Sequence, residues 1–224
     1  MVADEISHYY GIDRSKLHVI YNGINARVFH PGLADEFRAS TRHSLGIPED
    51  VPLLLYVGSG FERKGVPQLL RAFARFGNTR AHLVLVGADR KAKVMGALAS
   101  HLGCVGRVHF VGAVQDVRPF YGAADGFVLP TLYDPFPNAV LEALACGLPV
   151  LTSVNCGARE YIRNGENGRV VDPVDEAALI DGLAELCELA GRTEARQLSR
   201  QQAESLTLDD MAERLLSLYR SLAN

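Results

Sequence analysis

Two carboxylates eight positions apart give the clearest chemical signal in this sequence of 224 residues. Asp134 lies in a loop, and Glu142 lies in a short helix that the pattern predicts to begin at Pro137 and to end at Gly147. If Pro137 is the first helical residue, the backbone N–H groups of residues 138–140 have no acceptor within the helix. Because these groups lie at the positive end of the helix dipole, they predict an anion site that suits phosphate.

The two carboxylates suit the hydroxyl groups of a ligand whose phosphates lie at this helix start. Glu142 follows about one turn later, and helical side chains lean toward the N-terminus of their helix. Asp134 approaches from the preceding loop. Hydroxyl-binding carboxylates around a phosphate site indicate a sugar nucleotide. For either residue alone, an exposed glutamate or a turn aspartate in an ordinary βαβ unit stays an open interpretation.

A glycine-rich segment, GSGFERKG at residues 58–65, contains the cations that such a ligand needs. It follows an apolar run, and in open parallel sheets ligands bind at the carboxyl ends of the strands. Its glycine spacing fits neither a Rossmann fingerprint nor a P-loop. Arg63 and Lys64 still suit a pyrophosphate, because Arg offers a bidentate fork and Lys a point charge. The alternative is a turn with exposed basic residues.

Short apolar runs alternate with helical patterns along most of the chain. Because these runs do not alternate apolar with polar residues, they are typical of strands covered on both faces. The pattern predicts an α/β fold with a doubly wound parallel sheet, Rossmann-like in type. Beyond Asp172 only helical patterns remain, at residues 177–190 and 208–222. The predicted strands are residues 53–57, 82–86, 108–111, 126–129, 149–152 and 168–171.

Composition excludes some classes of function. A hydrophobic fraction of 48% and a charged fraction of 22% are ordinary for a globular protein, and a net charge of −3 gives no nucleic-acid signature. Residues 63–93 contain eight Lys or Arg and only Asp89 as an acid, so this segment could face a phosphate ligand or an anionic membrane surface.

Cysteine usage and hydropathy suggest a compartment. The cysteines form no CxxC pair and no zinc pattern, so we expect reduced thiols in a cytoplasmic protein. No apolar run is long enough to span a bilayer, and the acidic N-terminus is unlike a signal peptide. Contact with the inner membrane would be peripheral. The four cysteines are Cys104, Cys146, Cys156 and Cys187.

These motifs together resemble those of the retaining glycosyltransferase family 4. Residues 134–150 are similar to its paired-acid motif, which leads into a segment of the form LEA-x-A-x-G-x-PV. Residues 61–65 (FERKG) are similar to its RKG loop, and residues 19–24 (VIYNGI) match its VIYNGI segment. The similarity covers about residues 6–200. Within the family, the motifs are closest to the lipopolysaccharide core glucosyltransferase I type.

The resemblance implies the donor-binding half of a two-domain GT-B enzyme that retains anomeric configuration. It divides the chain into a lead-in segment (1–31), a nucleotide-sugar-binding domain (32–200) and a C-terminal helix (201–224) that packs toward the acceptor-binding domain expected before residue 1. The implied reaction moves a hexose, with UDP-glucose as the donor, to a glycan, lipid-linked glycan or lipopolysaccharide core acceptor. We expect the isolated chain to bind the donor without transferring its sugar.

The resemblance also implies residue roles. Glu142 would hold the ribose hydroxyls and Asp134 the hydroxyls of the transferred sugar. Arg63 and Lys64 would neutralise the diphosphate, so these two residues and Asp134 are the catalytic candidates. No cofactor and no metal are expected. The other substrate-binding candidates lie on the glycine-rich loop, at the helix start or against the base, and are Gly58, Gly60, Val114, Phe136, Asn138 and Ala139.

Three residues depart from the family pattern. Asp134 stands where a glutamate is usual, so its reach is one methylene shorter. Pro137 replaces a glycine and removes one N–H donor, and Ser59 stands where many members have an arginine. The last change leaves more of the charge neutralisation to Arg63.

Two other functions stay open from the sequence. The first is an NAD-type dinucleotide-binding domain in which Asp89 holds a ribose, although the third glycine of the loop is displaced for that fingerprint. The second is a non-catalytic regulatory α/β module, although residues 58–60 occupy the place of the acidic cluster that a receiver-like module needs.

Overall fold

The structure, a computed structural model, describes residues 1–223 and contains a six-stranded parallel sheet in the order β3-β2-β1-β4-β5-β6. The six predicted runs all form strands, and the predicted doubly wound fold is confirmed. The strands are β1 (Leu53–Val57), β2 (His82–Val86), β3 (Val108–Gly112), β4 (Gly126–Leu129), β5 (Val150–Ser153) and β6 (Gly168–Val171).

Nine α-helices cover the sheet or flank it within residues 1–223. Helix α8 was not among the helical patterns predicted beyond Asp172, because its buried face consists of Ala195, Ser199 and Ala203. Small residues four positions apart pack against a neighbouring helix but give no apolar periodicity. The helices are α1 (Val2–Tyr10), α2 (Leu33–Leu45), α3 (Val66–Arg75), α4 (Ala92–His101), α5 (Arg118–Ala123), α6 (Asn138–Ala145), α7 (Glu176–Ala190), α8 (Thr193–Glu204) and α9 (Leu208–Leu222).

The centre of the sheet is apolar on both faces and places the functional loops. Leu54 and Leu55 of β1 and Phe127 and Val128 of β4 are fully buried, as expected for strands covered by helices on both sides. β1 pairs in parallel with β2 on one side and with β4 on the other. The order of the strands therefore reverses between β1 and β4, and the loops that leave these two strands lie side by side.

A buried ion pair joins helix α2 to the opposite end of the sheet. The guanidinium of Arg42 is fully buried and donates to Asp125 Oδ2 at 2.6 Å, to Ala123 O at 2.9 Å and to Val51 O at 2.9 Å. The Asp125 carboxylate also accepts from the backbone N–H of Leu53 at 2.7 Å. Because burial disfavours the charged guanidinium, the pKa of Arg42 is lowered despite the favourable field of Asp125.

The basic excess of residues 63–93 is partly neutralised by neighbouring acids. Besides Arg63 and Lys64, which lie beside Asp134, three of its cations form ion pairs with carboxylates from outside the segment. Much of the positive charge of the segment is therefore compensated by these acids. The three pairs are Arg75–Glu176, Arg80–Asp50 and Lys91–Glu62.

None of the helices within residues 1–223 is long and apolar enough to cross a bilayer.

The lead-in segment is joined to the C-terminal segment. The N–H of Ile24 donates to Leu206 O at 2.7 Å, and Ile24 forms an isolated parallel bridge with Thr207. Gly23 also lies against the backbone of the C-terminal segment, because an added Cβ would lie 2.4 Å from Thr207 O. The boundary predicted after residue 200 falls within α8, and α9 contains no buried residue.

The Arg42–Asp125 pair gives the first prediction. Asp125→Ala leaves a buried guanidinium without its counter-charge, which costs roughly 3–5 kcal/mol of unfolding free energy. We expect a large fall in the urea midpoint, measured by far-UV circular dichroism.

The matched control for this prediction is Asp50→Ala. Asp50 pairs with Arg80 at an exposed position, so its removal should leave the urea midpoint nearly unchanged. Equal midpoints for the Asp125→Ala and Asp50→Ala variants would contradict a structural role for the buried pair.

Candidate functional site

The start of helix α6 offers two free backbone donors, not the predicted three. Pro137 is the residue before the helix rather than its first residue, with φ −72° and ψ 121°. The N–H of Val140 donates to Pro137 O at 3.1 Å, which corrects the prediction that this group is free. The N–H groups of Asn138 and Ala139 have no acceptor among residues 1–223. The helix start therefore still presents N–H groups to an anion.

The glycine-rich loop after β1 is bonded directly to the loop after β4. The carbonyl of Arg63 accepts from the N–H of Leu132 at 2.8 Å and from Thr131 Oγ1 at 3.2 Å. Gly65 has φ 76°, and an added Cβ would lie 1.9 Å from Pro130 O. Only glycine permits both this conformation and this close approach. The two loops thus form one rigid wall of the site.

Asp89 supports the glycine-rich loop from the end of β2. Its carboxylate accepts from the N–H of Lys91 at 2.7 Å and from the N–H of Phe61 at 2.8 Å. These backbone hydrogen bonds lower the pKa of Asp89. The residue that the dinucleotide alternative assigned to a ribose is therefore engaged in holding the loop.

The three catalytic candidates lie together. Asp134 Oδ2 is 3.4 Å from Lys64 Nζ and 3.7 Å from the Arg63 guanidinium, which also donates to Tyr133 O at 2.6 Å. The Arg63 side chain is 51% exposed and can turn to a ligand, whereas that of Lys64 is only 13% exposed. Gly58 leaves room for Lys64, because an added Cβ would lie 2.9 Å from Nζ.

The Asp134 loop is held by the loop that follows β5. The N–H of Asp134 donates to Asn155 O at 3.2 Å, and the N–H of Gly157 donates to Asp134 O at 2.9 Å. An added Cβ on Gly157 would lie 1.7 Å from Pro135 O, so the two backbones are in direct contact. Asp134 is therefore buried although it belongs to a loop.

Glu142 is positioned by a residue that the sequence did not reveal. The Tyr121 hydroxyl of α5 donates to Glu142 Oε2 at 2.7 Å and lies 3.1 Å from Ala139 O. Burial raises the pKa of Glu142, while this hydrogen bond and the positive field of Lys64 lower it. Burial and the field of Glu142 raise the pKa of Tyr121, so its hydroxyl stays a donor.

The lead-in segment also contacts the helix start. The ring of Tyr21 lies 4.7 Å from that of Phe136, measured between centroids. Asn22 Nδ2 donates to Asn138 Oδ1 at 2.9 Å. The sequence showed an Asn-Gly turn within the VIYNGI segment here, and neither pattern predicts a contact with a residue so distant in the chain.

Val114 and Gly60 complete the predicted set. Val114 follows the edge strand β3, which β2 separates from β1. No hydrogen bond or ion pair within residues 1–223 joins Val114 to the other candidates. Gly60 has φ 73° in the glycine-rich loop, and an added Cβ would lie 3.9 Å from the Arg63 guanidinium. The same residues contain no cluster of three or more His, Cys, Asp or Glu that could hold a metal ion.

The arrangement places anion-binding and hydroxyl-binding groups at one edge of the sheet. The donors are two backbone N–H groups and two cationic side chains, and the acceptors are the carboxylates of Asp134 and Glu142. Such a set can bind a phosphorylated ligand that also has free hydroxyl groups.

Known proteins are similar in sequence to this chain. LpsE of Rhizobium meliloti, a lipopolysaccharide core biosynthesis glycosyltransferase, is 32% identical over 184 residues, covering 82% of this chain and 53% of LpsE. The lipopolysaccharide glucosyltransferase WaaG of Escherichia coli is 39% identical over 133 residues, covering 58% of this chain and 35% of WaaG. A D-inositol 3-phosphate glycosyltransferase of Acidothermus cellulolyticus is 30% identical over 231 residues, covering 97% of this chain and 51% of that enzyme.

A solved structure shares the fold. Anabaena Alr3699/HepE in complex with UDP and glucose superposes with a TM-score of 0.82 at 21% identity, covering 94% of this chain and 59% of that chain. The chain thus spans about half the length of the curated relatives it matches, and its fold is that of one domain of a GT-B glycosyltransferase. A family model described as glycosyl transferases group 1 matches residues 37–205. The predicted resemblance is confirmed, and the chain belongs to the group 1 glycosyl transferases.

Proposed function

We propose that this chain is the donor-binding half of a retaining hexosyltransferase that uses a UDP-hexose, with UDP-glucose as the first candidate. The observation that supports this most is the convergence of Arg63, Lys64 and Asp134 with the start of α6 at the reversal of strand order. A sugar nucleotide needs anion-binding and hydroxyl-binding groups in one place, and this is where open α/β sheets bind ligands.

The diphosphate lies, in this proposal, between the helix start and the cationic pair. The N–H groups of Asn138 and Ala139 donate to its oxygens, and Arg63 and Lys64 balance its charge. Because Arg63 is half-exposed, its present interaction with Asp134 is weak and can be exchanged for a phosphate at little cost. Gly58 and Gly60 keep the loop backbone free of side chains that would obstruct the ligand.

The carboxylates hold the two sugars. Glu142 accepts from the ribose hydroxyls, and its Tyr121 partner fixes the carboxylate. Asp134 accepts from hydroxyls of the transferred hexose, and Phe136 borders this part of the pocket. The base packs near Val114. These assignments are those that the family resemblance implies, and the positions of Asp134 beside Lys64 and of Glu142 beside Tyr121 support them.

Transfer breaks the bond between C1 of the hexose and the diphosphate oxygen. A new bond forms from C1 to an acceptor hydroxyl oxygen, on the face of the sugar from which the diphosphate leaves. The acceptor proton leaves to the departing diphosphate. The protein's part is electrostatic, because Arg63, Lys64 and the helix start stabilise the charge that grows on the leaving group. We propose that this requires no metal ion and no cofactor.

The names of the relatives suggest the class of acceptor. The names of LpsE and WaaG suggest a lipopolysaccharide core or another glycan as the acceptor. The name of the D-inositol 3-phosphate glycosyltransferase suggests an inositol phosphate instead. We place acceptor binding in a second domain, so this chain alone binds donor without transferring sugar. We further propose a cytoplasmic enzyme with at most peripheral contact with the inner membrane. Binding of nucleic acid is not part of the proposal.

The ribose role of Glu142 gives the second prediction. Glu142→Gln keeps the size of the side chain but removes the charged acceptor, so UDP binding should weaken by roughly 1–3 kcal/mol. Isothermal titration calorimetry with UDP and with its 2′,3′-dideoxy analogue measures this loss. The analogue should lose much less, since it lacks the hydroxyls.

Glu176→Gln serves as the control for this prediction. Glu176 pairs with Arg75 outside the proposed site, so UDP affinity should not change. Equal losses for UDP and for the dideoxy analogue in the Glu142→Gln variant would rule out the ribose contact.

The diphosphate role of the cations gives the third prediction. Arg63→Ala and Lys64→Met should each weaken UDP binding by roughly 1.5–3 kcal/mol, as expected for hydrogen bonds to charged groups. Uridine binding should stay the same, because uridine has no phosphate. Titrations at two ionic strengths should also show a weaker salt dependence in both variants.

Arg75→Ala is the matched control, since Arg75 is an exposed arginine of the same segment that pairs with Glu176. If Arg63→Ala and Arg75→Ala altered UDP affinity to the same degree, the diphosphate assignment would be refuted.

A further inference from the structure

Asn22, in the lead-in segment, contacts the proposed anion site through one side chain. Its Nδ2 donates to Asn138 Oδ1 at 2.9 Å, across 116 positions of sequence. Asn138 is the first residue of α6, so its amide lies beside the free N–H groups of that helix. Both asparagine side chains are exposed, and neither is held in place by burial.

This hydrogen bond decides which end of the Asn138 amide is available. With Oδ1 engaged by Asn22, the Nδ2 group has no acceptor within residues 1–223 and can donate to a ligand. The reversed amide would instead leave the carbonyl oxygen available, and an oxygen repels a phosphate. Because either orientation is open to a free amide, the hydrogen bond from Asn22 Nδ2 selects the one that leaves Nδ2 of Asn138 available.

The segment around Asn22 is itself fixed on both sides. The Tyr21 hydroxyl donates to Glu160 Oε2 at 2.5 Å, and this bond and burial raise the pKa of Tyr21 to about 12, so the hydroxyl stays protonated. The Tyr21 ring packs on Phe136. On the other side, the N–H of Ile24 donates to Leu206 O at 2.7 Å. Asn22 is thus attached to a rigid support.

We propose that Asn22 is a positioning residue for donor binding that acts through Asn138. It orients the Asn138 amide so that Nδ2 joins the backbone N–H groups of Asn138 and Ala139 as a third donor to the diphosphate. This proposal rests on the proposed function and adds to it a residue from outside the domain matched by the family model.

A double-mutant cycle on UDP binding tests this role. Asn22→Ala and Asn138→Ala should each raise the Kd for UDP roughly three- to tenfold, the effect of one hydrogen bond. Adding Asn22→Ala to Asn138→Ala should change the Kd no further, because the residue through which Asn22 acts is gone. Uridine should bind all of the variants equally.

Asn25→Ala is the control within the same segment. Asn25 Oδ1 accepts from the N–H of Arg27 at 3.1 Å, so its loss perturbs the local turn without touching α6. UDP affinity should therefore stay at the level of the unsubstituted chain. Thermal melting of each variant identifies any general loss of structure.

Three results would overturn the positioning role. They are unchanged UDP affinity in Asn22→Ala, independent and additive losses in the double variant, and an equal loss for uridine. Glu142→Gln separates this proposal from the proposed function. If Glu142→Gln weakens UDP binding and Asn22→Ala does not, only the role of Asn22 fails. If the unsubstituted chain binds no UDP, the proposed function fails and the role of Asn22 fails with it.

Discussion

The direct contact between the loops that leave β1 and β4 is the constraint on which the site depends. These strands are neighbours only because the order of the sheet reverses between them. The contact requires a glycine at position 65, where any side chain would meet Pro130 O, and it engages the carbonyl of Arg63. With that carbonyl fixed, the loop places the Arg63 and Lys64 side chains beside Asp134. The cations and the paired-acid segment become one site through backbone geometry.

The charges of the site are balanced in a way that suits a diphosphate ligand. Asp134 is buried beside two cations, so its charge is compensated, and the half-exposed Arg63 can leave it without a large loss of energy. The ionised form of Glu142 costs more free energy, because burial disfavours its charge and raises its pKa. The Tyr121 hydroxyl and the field of Lys64 offset this cost. The site therefore holds both carboxylates ready to accept hydrogen bonds from hydroxyl groups.

Much of the fold, and part of the site, could be predicted from the sequence. All six strands could be located from continuous apolar runs, because strands that are covered on both faces consist mainly of apolar residues. Helix α8 was not predicted from the sequence, because its buried face is made of small residues such as Ser199. The grouping of Arg63, Lys64 and Asp134 was predicted from the family resemblance and from the rule that ligands bind at the carboxyl ends of parallel strands. The long-range hydrogen bonds of Tyr121 and Asn22 could not be predicted, because Tyr121 lies in no motif and the VIYNGI motif that contains Asn22 does not indicate its partner.

A titration with UDP followed by ¹H–¹⁵N NMR tests the common pocket most directly. The account predicts that, without added metal, the amide signals of residues 58–65 and those of Asn138 and Ala139 shift together and saturate with one dissociation constant. Signals near His82 and His109, which contact each other on β2 and β3 away from these loops, should stay in place. Shifts restricted to one of the two loops, or two different dissociation constants, would contradict a single site formed by both.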